Sequence, residues 1–314
     1  MAVSKGQKST ESAVRKLFIG VGSSYVLAVN PNREELEKIR GRALEKDPEY
    51  LSTLAVGDEE IPQIRIDFIC KPDPKMYFDS QNQPVNTDIT VSVYLKKQYK
   101  YSPRYDKYQI MDKYGRTAWA TKDDIQAKRI PLCNTKDGGT MPANISRDYF
   151  VAYDGLDELV KFIRAYLNIP NVEIWENKRV VGLIDNPSTA EVMLDRVDDY
   201  FKGDVSELKE IISYQPGNKL KIAYGVKTAP DNRQYQTAYT RMFLKNNVGK
   251  DKLSGIYTRL NSDIQSAKQN GALSTSEFDC TELHEYVVTP TTFSPQNQTE
   301  MPDSADAYGA NLWI

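Results

Sequence analysis

Histidine occurs once and cysteine three times in 314 residues, and those shortages weaken the case for an enzyme that works through histidine or cysteine. No Ser-His-Asp or Cys-His arrangement can be built without His284, and neither HExxH nor CxxC occurs. Cys70, Cys133 and Cys280 are too few and too scattered for a disulfide framework in a chain of this size. Cys280 and His284 would supply half a zinc site. Structural zinc wants four N/S ligands, and the remaining pair is not clustered, so two unrelated side chains is the preferred reading. The segment GVGSSY, Gly20 to Tyr25, lacks the third glycine of a dinucleotide fingerprint and the Lys-Ser/Thr of a P-loop. It reads as a strand with its turn. Carboxylates are plentiful, but their spacing singles out no metal-binding pair. The expectation is a non-catalytic protein with no cofactor and no metal.

Long apolar runs are missing too. No stretch of 18 or more apolar residues exists, so no membrane-spanning helix is expected. The N-terminal stretch has charges but no apolar core followed by a small-residue cleavage site, which points to the cytoplasm. The 40% of hydrophobic residues suffices for one elaborated core or two modest ones. Net charge is only −2, yet the sum hides its distribution. Residues 1–20 carry Lys5, Lys8, Arg15 and Lys16 against Glu11. Residues 96–116 carry seven cations against two carboxylates, and the last 26 residues hold Glu300, Asp303 and Asp306 with no Lys or Arg. A basic arm, a basic middle and an acidic tail cancel.

Hydrophobic periodicity gives the order of elements. Val26–Val29 reads as a short buried strand, followed by a helix that Asn32 and Glu35 open as a capping box. Ile64, Ile66 and Phe68 alternate with polar residues, and Ile89, Val91, Val93 and Leu95 do so most clearly. Lys71 to Thr87 is a loop, 107–120 is extended with an interruption at Tyr114-Gly115, and 121–147 is irregular. Asp154 is expected to cap a helix with Leu156, Leu159, Val160, Ile163, Tyr166 and Leu167 inward. Val172 to Ile184 reads as a hairpin. Ser188 with Glu191 opens a helix turning Met193, Leu194, Val197 and Phe201 inward, and Asp204 with Glu207 opens another with Val205, Leu208 and Ile212 inward. Strands Leu220–Lys227 and Arg233–Leu244 flank a turn at 230–232, and a last helix covers about 250–268. Strand and helix do not alternate regularly, which disfavours a doubly wound sheet. An α+β chain with a curled antiparallel sheet or small barrel carrying helical insertions fits better.

The informative segment runs from Leu95 to Trp119. Lys96, Lys97, Lys100, Arg104, Lys107, Lys113 and Arg116 interleave with Tyr99, Tyr101, Tyr105, Tyr108 and Tyr114, and Trp119 follows. Single-stranded nucleic acid calls for this pairing, since cations neutralise phosphates while aromatic faces stack on unpaired bases. The plain alternative is tyrosines packed on a sheet surface with lysines solvating it. Tyr101, Arg104, Tyr105 and Tyr108 are the strongest candidates, because Pro103 and the charge density set them at a strand end or loop facing water. A second candidate surface holds Tyr235, Tyr239, Arg241 and Phe243 on one strand face, with Lys219 and Lys221 on the partner strand. Phe243 is preferred as core.

GVGSSYVLAVNPNREELEKI, IRIDF, the segment Tyr114 to Trp119, AYDGLDELVKFIRAYLNI, GDVSELKEII and YQTAYTRMF together resemble single-stranded DNA-binding proteins of crAss-like and other Bacteroidetes phages, over about residues 18–290. A looser similarity is to T-even phage helix-destabilising proteins, which have an oligonucleotide-binding (OB) fold, a basic arm and an acidic tail. Those relatives hold zinc through a Cys and His cluster that is missing here, so a zinc-stabilised insertion is not carried over. The resemblance implies a basic arm at 1–17, including Lys5, Lys8, Arg15 and Lys16, for cooperative self-association. It implies an OB-like core at 18–288 and an acidic tail at 289–314. Asp303, Asp306, Leu312, Trp313 and Ile314 would recruit phage replication proteins in the host bacterial cytoplasm. The competing expectations are a virion or assembly protein using the tyrosines as interface anchors, and a magnesium-dependent enzyme for which no carboxylate pair speaks.

Overall fold

The structure, a computed structural model, describes residues 16–113, 115–134, 140–144, 149–167, 193–214, 217–245, 258–274 and 282–287. At its centre is β1, Leu17–Val29. It pairs antiparallel with β3 (Glu59–Pro72), with β12 (Lys219–Thr228) and with β14 (His284–Tyr286). The sequence LFIGVGSSYVLAV does not alternate because the strand is covered on both faces, as central strands are. Phe18, Val26 and Val29 enter the main core, while Ile19 and Val21 join a second cluster on the other side. GVGSSY is thus all strand. Its serines are satisfied inside: Ser24 and Tyr224 share a hydroxyl hydrogen bond of 2.7 Å, and the Ser23 amide donates to the Tyr77 hydroxyl at 2.8 Å.

Beyond β3 the main sheet continues through β4 (Ile89–Tyr99) to β11 (Tyr153–Asp154), and beyond β12 to β13 (Gln234–Lys245). Irregularities between Val26 and Ala28 of β1, between Ile222 and Tyr224 of β12, and between Tyr153 and Asp154 of β11 add twist. The sheet curls strongly enough that β13 comes back alongside β4, forming a half-barrel. Helix α3, Leu156–Tyr166, lies inside this curl with Leu156, Leu159, Val160, Phe162, Ile163 and Tyr166 buried. The Phe162 ring stacks on Phe68 at 3.9 Å and meets Phe243 edge-on at 5.0 Å.

The expected cap of this helix is corrected. Gly155 is the N-cap residue, at φ 93°, and no side chain caps it. Asp154 is the end of β11 and receives Lys96 at 2.8 Å. A Cβ on Gly155 would lie 1.9 Å from the Tyr94 carbonyl oxygen, so the turn from β11 into the curl demands glycine.

Other elements fill in around this frame. Helix α1, Arg33–Arg40, has the expected Asn32–Glu35 capping box. Strand β2, Leu51–Val56, pairs with the first half of β3 as a solvent-exposed ribbon whose polar stretch Glu59–Gln63 hid its strand character. A smaller sheet combines β5 (Tyr101–Ser102), β6 (Lys107–Asp112), β7 (Thr117–Ala120) and β10 (Tyr149–Val151). The stretch expected to be irregular holds α2, Lys122–Gln126, capped by Thr121 with Asp124, and a hairpin of β8 (Arg129–Asn134) with β9 (Thr140–Asn144). Five helical residues are too few to show a period. Helices α4 (Val197–Tyr200) and α5 (Ser206–Tyr214) bury Val197, Tyr200, Leu208 and Ile212, and Val205 is buried immediately before α5. Met193 is buried too, whereas Leu194 and Phe201 are partly buried at the core's edge. Helix α6, Thr258–Gln269, covers the outer face with Leu260, Ile264 and Ala267 against Ile19, Val21 and Ala223. The expected hairpin at 172–184, the start of the helix opened by Ser188, and the 250–257 start of the last helix lie outside the described residues. No helix among the described residues is long and apolar enough to cross a membrane.

Candidate nucleic-acid interface

The segment from Leu95 to Trp119 begins on β4, whose buried residues alternate up to Leu95. Lys97 and Tyr99 share their face, but the strand has by then run past the core, so both are exposed. The chain kinks at Lys100 into β5, and Pro103–Asp106 make the turn into β6, with Asp106 at φ 49°. Register pairs Tyr101 with Tyr108 and Gln109 with Trp119.

Five aromatic side chains are exposed among the described residues: Phe78, Tyr99, Tyr101, Tyr105 and Trp119. Four of the five thus come from one 21-residue stretch. Tyr105 is 61% exposed at the turn, with the Arg104 guanidinium 5.3 Å from its ring centre. Tyr101 and the half-buried Tyr108 lie 5.0 Å apart. The Tyr101 hydroxyl donates to the Asp106 carboxylate at 2.7 Å, which raises the phenol's pKa. Tyr114 lies outside the described residues.

The cations divide into two groups. Lys96 bonds Asp154, Lys100 bonds Asp157 at 3.0 Å, and Arg116 is paired with Asp112. Lys97 makes only a loose contact of 3.5 Å with the exposed Asp198. No ion pair engages Arg104 or Lys107 among the described residues, and both stand next to the exposed tyrosines. The patch is therefore more aromatic and less cationic than its sequence suggests.

Asp157 explains where Lys100 points. Burial alone would raise this carboxyl, but the Lys100 and Lys161 ammoniums, at 3.0 and 3.1 Å, hold its pKa below the ordinary range. A carboxyl whose folded pKa is depressed stabilises the fold above its unfolded value of about 3.9, and that contribution is lost as pH falls through the folded pKa. Asp157→Asn is accordingly expected to be less stable than wild type at neutral pH, with the gap closing as pH falls below about 4. Urea midpoints between pH 7 and pH 3 measure it, and a pH-independent gap would contradict the ion-pair assignment.

The second candidate surface is dispersed by the bulge between β12 and β13. Ile222 pairs with Phe243 and Tyr224 with Ala238, so Phe243 turns into the main core as preferred, at 8% exposure. Tyr239 packs in the second cluster, lies over Gly225 and hydrogen-bonds Asp263 of α6. Tyr235 is half-buried opposite Lys227. Lys219 is bound to the buried Asp73 and sits 5.0 Å from the Tyr25 ring, which ties it to the structure of the β1 end. Lys221 is half-buried on β12 opposite Ser23. Arg241 belongs to β13, and its side chain lies outside what is described. Tyr235, Tyr239, Lys219 and Lys221 are thus all half-buried, not open to solvent.

Lys16, counted with the basic arm, bonds Asp79 at 2.7 Å and lies 3.8 Å from Glu285, immediately before β1. Lys5, Lys8 and Arg15, together with Asp303, Asp306, Leu312, Trp313 and Ile314, lie outside the described residues. His284 is in β14 opposite Ile19, and Cys280 lies outside the described residues. Sequence reasoning passed over Tyr153 and assigned Phe201 to the core, although their rings continue the row beyond Tyr99. Tyr153 and Tyr99 are 5.1 Å apart, and Tyr153 and Phe201 6.0 Å.

The class this geometry defines is a mixed α+β protein with a strongly curled, mostly antiparallel sheet and an exposed aromatic stretch at its end. No protein-family model, no curated protein and no solved structure matches the chain.

Proposed function

We propose that the chain binds single-stranded DNA without regard to sequence and protects it during phage DNA replication and recombination, without catalysis. In this reading the curled sheet is an OB-type scaffold. The basic N-terminal arm supports cooperative self-association on DNA, and the C-terminal residues recruit replication partners. The observation that carries the reading is the concentration of exposed Tyr99, Tyr101 and Tyr105 in one short stretch with Arg104 and Lys107. Unpaired bases offer faces to such rings, and duplex DNA hides them.

The test is a fluorescence titration of labelled oligo-dT and a matched duplex at several salt concentrations. Tight binding to the single strand and weak binding to the duplex are expected. Each phosphate neutralised adds about −0.7 to the slope of log affinity against log salt, so Arg104 and Lys107 alone would give a slope of about −1.4. No binding to oligo-dT at low salt overturns the proposal.

One observation favours a second reading. Lys96, Lys100 and Arg116 are neutralised within the chain, which suits tyrosines that anchor a protein interface in a phage virion or assembly protein. Stable rings or larger assemblies in the absence of DNA, with no oligo-dT binding, would establish that role.

A further inference from the structure

The aromatic stretch does not end at Tyr99. Tyr153 is register-opposite Tyr99 across β11 and β4, and paired residues of antiparallel strands share a face. Their rings meet at 5.1 Å and 34°. The next ring, 6.0 Å from Tyr153, is that of Phe201, the residue after α4. Neither Tyr153 nor Phe201 is enclosed: both are half-buried at the core's edge. The Lys97 ammonium stands 5.8 Å from the Phe201 ring centre. Among the described residues its ion-pair partner is Asp198, at 3.5 Å, with side chains 47% and 70% exposed, so water already screens the pair and a phosphate can displace it.

This row resembles the first cluster in composition: there the Tyr101 and Tyr108 rings are in contact, and Arg104 stands over the ring of nearby Tyr105. Only Lys100 separates the two, and its ammonium is drawn away to Asp157. Tyr99 and Tyr101 are therefore neighbouring ends of two ring clusters, one on the main sheet and one on the small sheet.

We propose that Tyr153, Phe201 and Lys97 form a second base-stacking platform for single-stranded DNA, contiguous with the first. The bound strand then passes from the Tyr105 turn across Tyr101 and Tyr99 and continues to the helical segment at 197–201. This rests on the single-strand reading above and adds a direction and a longer footprint to it.

The test pairs Phe201→Leu, which keeps an apolar side chain at the core's edge and removes the π face, with oligo-dT of increasing length. A base stacked on a ring contributes on the order of a 5- to 150-fold change in affinity. Phe201→Leu is expected to weaken binding of a 20-mer by at least about 5-fold while a 5-mer, which the first platform accommodates, binds as to wild type. Ultraviolet crosslinking of a bromodeoxyuridine-substituted 20-mer is expected to mark peptides containing Tyr153 or Phe201 as well as the 101–108 peptide. If the variant binds both lengths like wild type, or loses both equally, the second platform is overturned. The first then stands if Tyr101→Ala with Tyr105→Ala still abolishes tight binding. If wild type binds no oligo-dT, both readings fall together.

Discussion

Tyr101→Ala combined with Tyr105→Ala is expected to weaken oligo-dT binding by about 30-fold or more, because each base stacked on a ring contributes about 1–3 kcal/mol. The two side chains are 43% and 61% exposed, so the fold loses little with them. What disappears is the Tyr101 contact with the Tyr108 ring at 5.0 Å and an exposed hydroxyl hydrogen bond to Asp106. A ring pair of this kind is worth about 0.5–1.5 kcal/mol. Fluorescence anisotropy for binding and a thermal melt by circular dichroism separate the two effects. A double variant that unfolds would show that the rings belong to the structure, and the site assignment would be wrong. A folded variant that binds as wild type would remove these residues from the interface.

The largest effect on stability is expected from Phe162→Ala. The ring lies between Phe68 and Phe243, at 3.9 and 5.0 Å, and is completely buried. It thereby joins β3 near the middle of the sheet to β13 at its end, through the helix the curl encloses. Truncating a buried phenylalanine costs about 3–5 kcal/mol in transfer energy and cavity. That is a large fraction of the 5–15 kcal/mol typical of a folded domain. The expected result is a marked drop in urea midpoint with an unchanged slope. A loss of less than about 1 kcal/mol, far from the usual cavity cost, would mean that α3 does not fill the curl.

What could be read in the sequence depended on how each element meets water. Strand β4 was legible because one face is core and the other is not, so Ile89, Val91, Val93 and Leu95 alternate with polar residues. Strand β1 reads in two pieces, a strand with a turn at Gly20 to Tyr25 and a short strand at Val26–Val29, because burial of residues 17–24 on both faces erases alternation there. The β2–β3 ribbon went unseen for the opposite reason, being exposed on both faces. Asp154 is a good capping residue by type, and only the approach of the Tyr94 carbonyl to Gly155 shows why glycine takes that place. The tyrosine-rich stretch was identified from composition, and the residues around Pro103, read as a strand end or loop facing water, form a turn with Tyr101 and Tyr105 exposed and Tyr108 half-buried. Pairing across distance was invisible: Lys96 and Lys100 are neutralised by carboxylates 58 and 57 residues away. Likewise Tyr239 is held by Asp263, 24 residues further on in α6.

The strand at the centre of the sheet is made early, and its partners are made at very different times. β3 is complete at Pro72, β12 at Thr228 and β14 at Tyr286. At synthesis rates of about 5–20 residues per second, some 10–40 s separate the end of β1 from the start of β12. For that interval Ile19, Val21 and the β12-facing edge of β1 have none of their final neighbours on that side. Long-range pairing of this kind slows folding and leaves an open edge for other chains. Closure of the cluster on that side therefore waits until β12 and α6 have been synthesised.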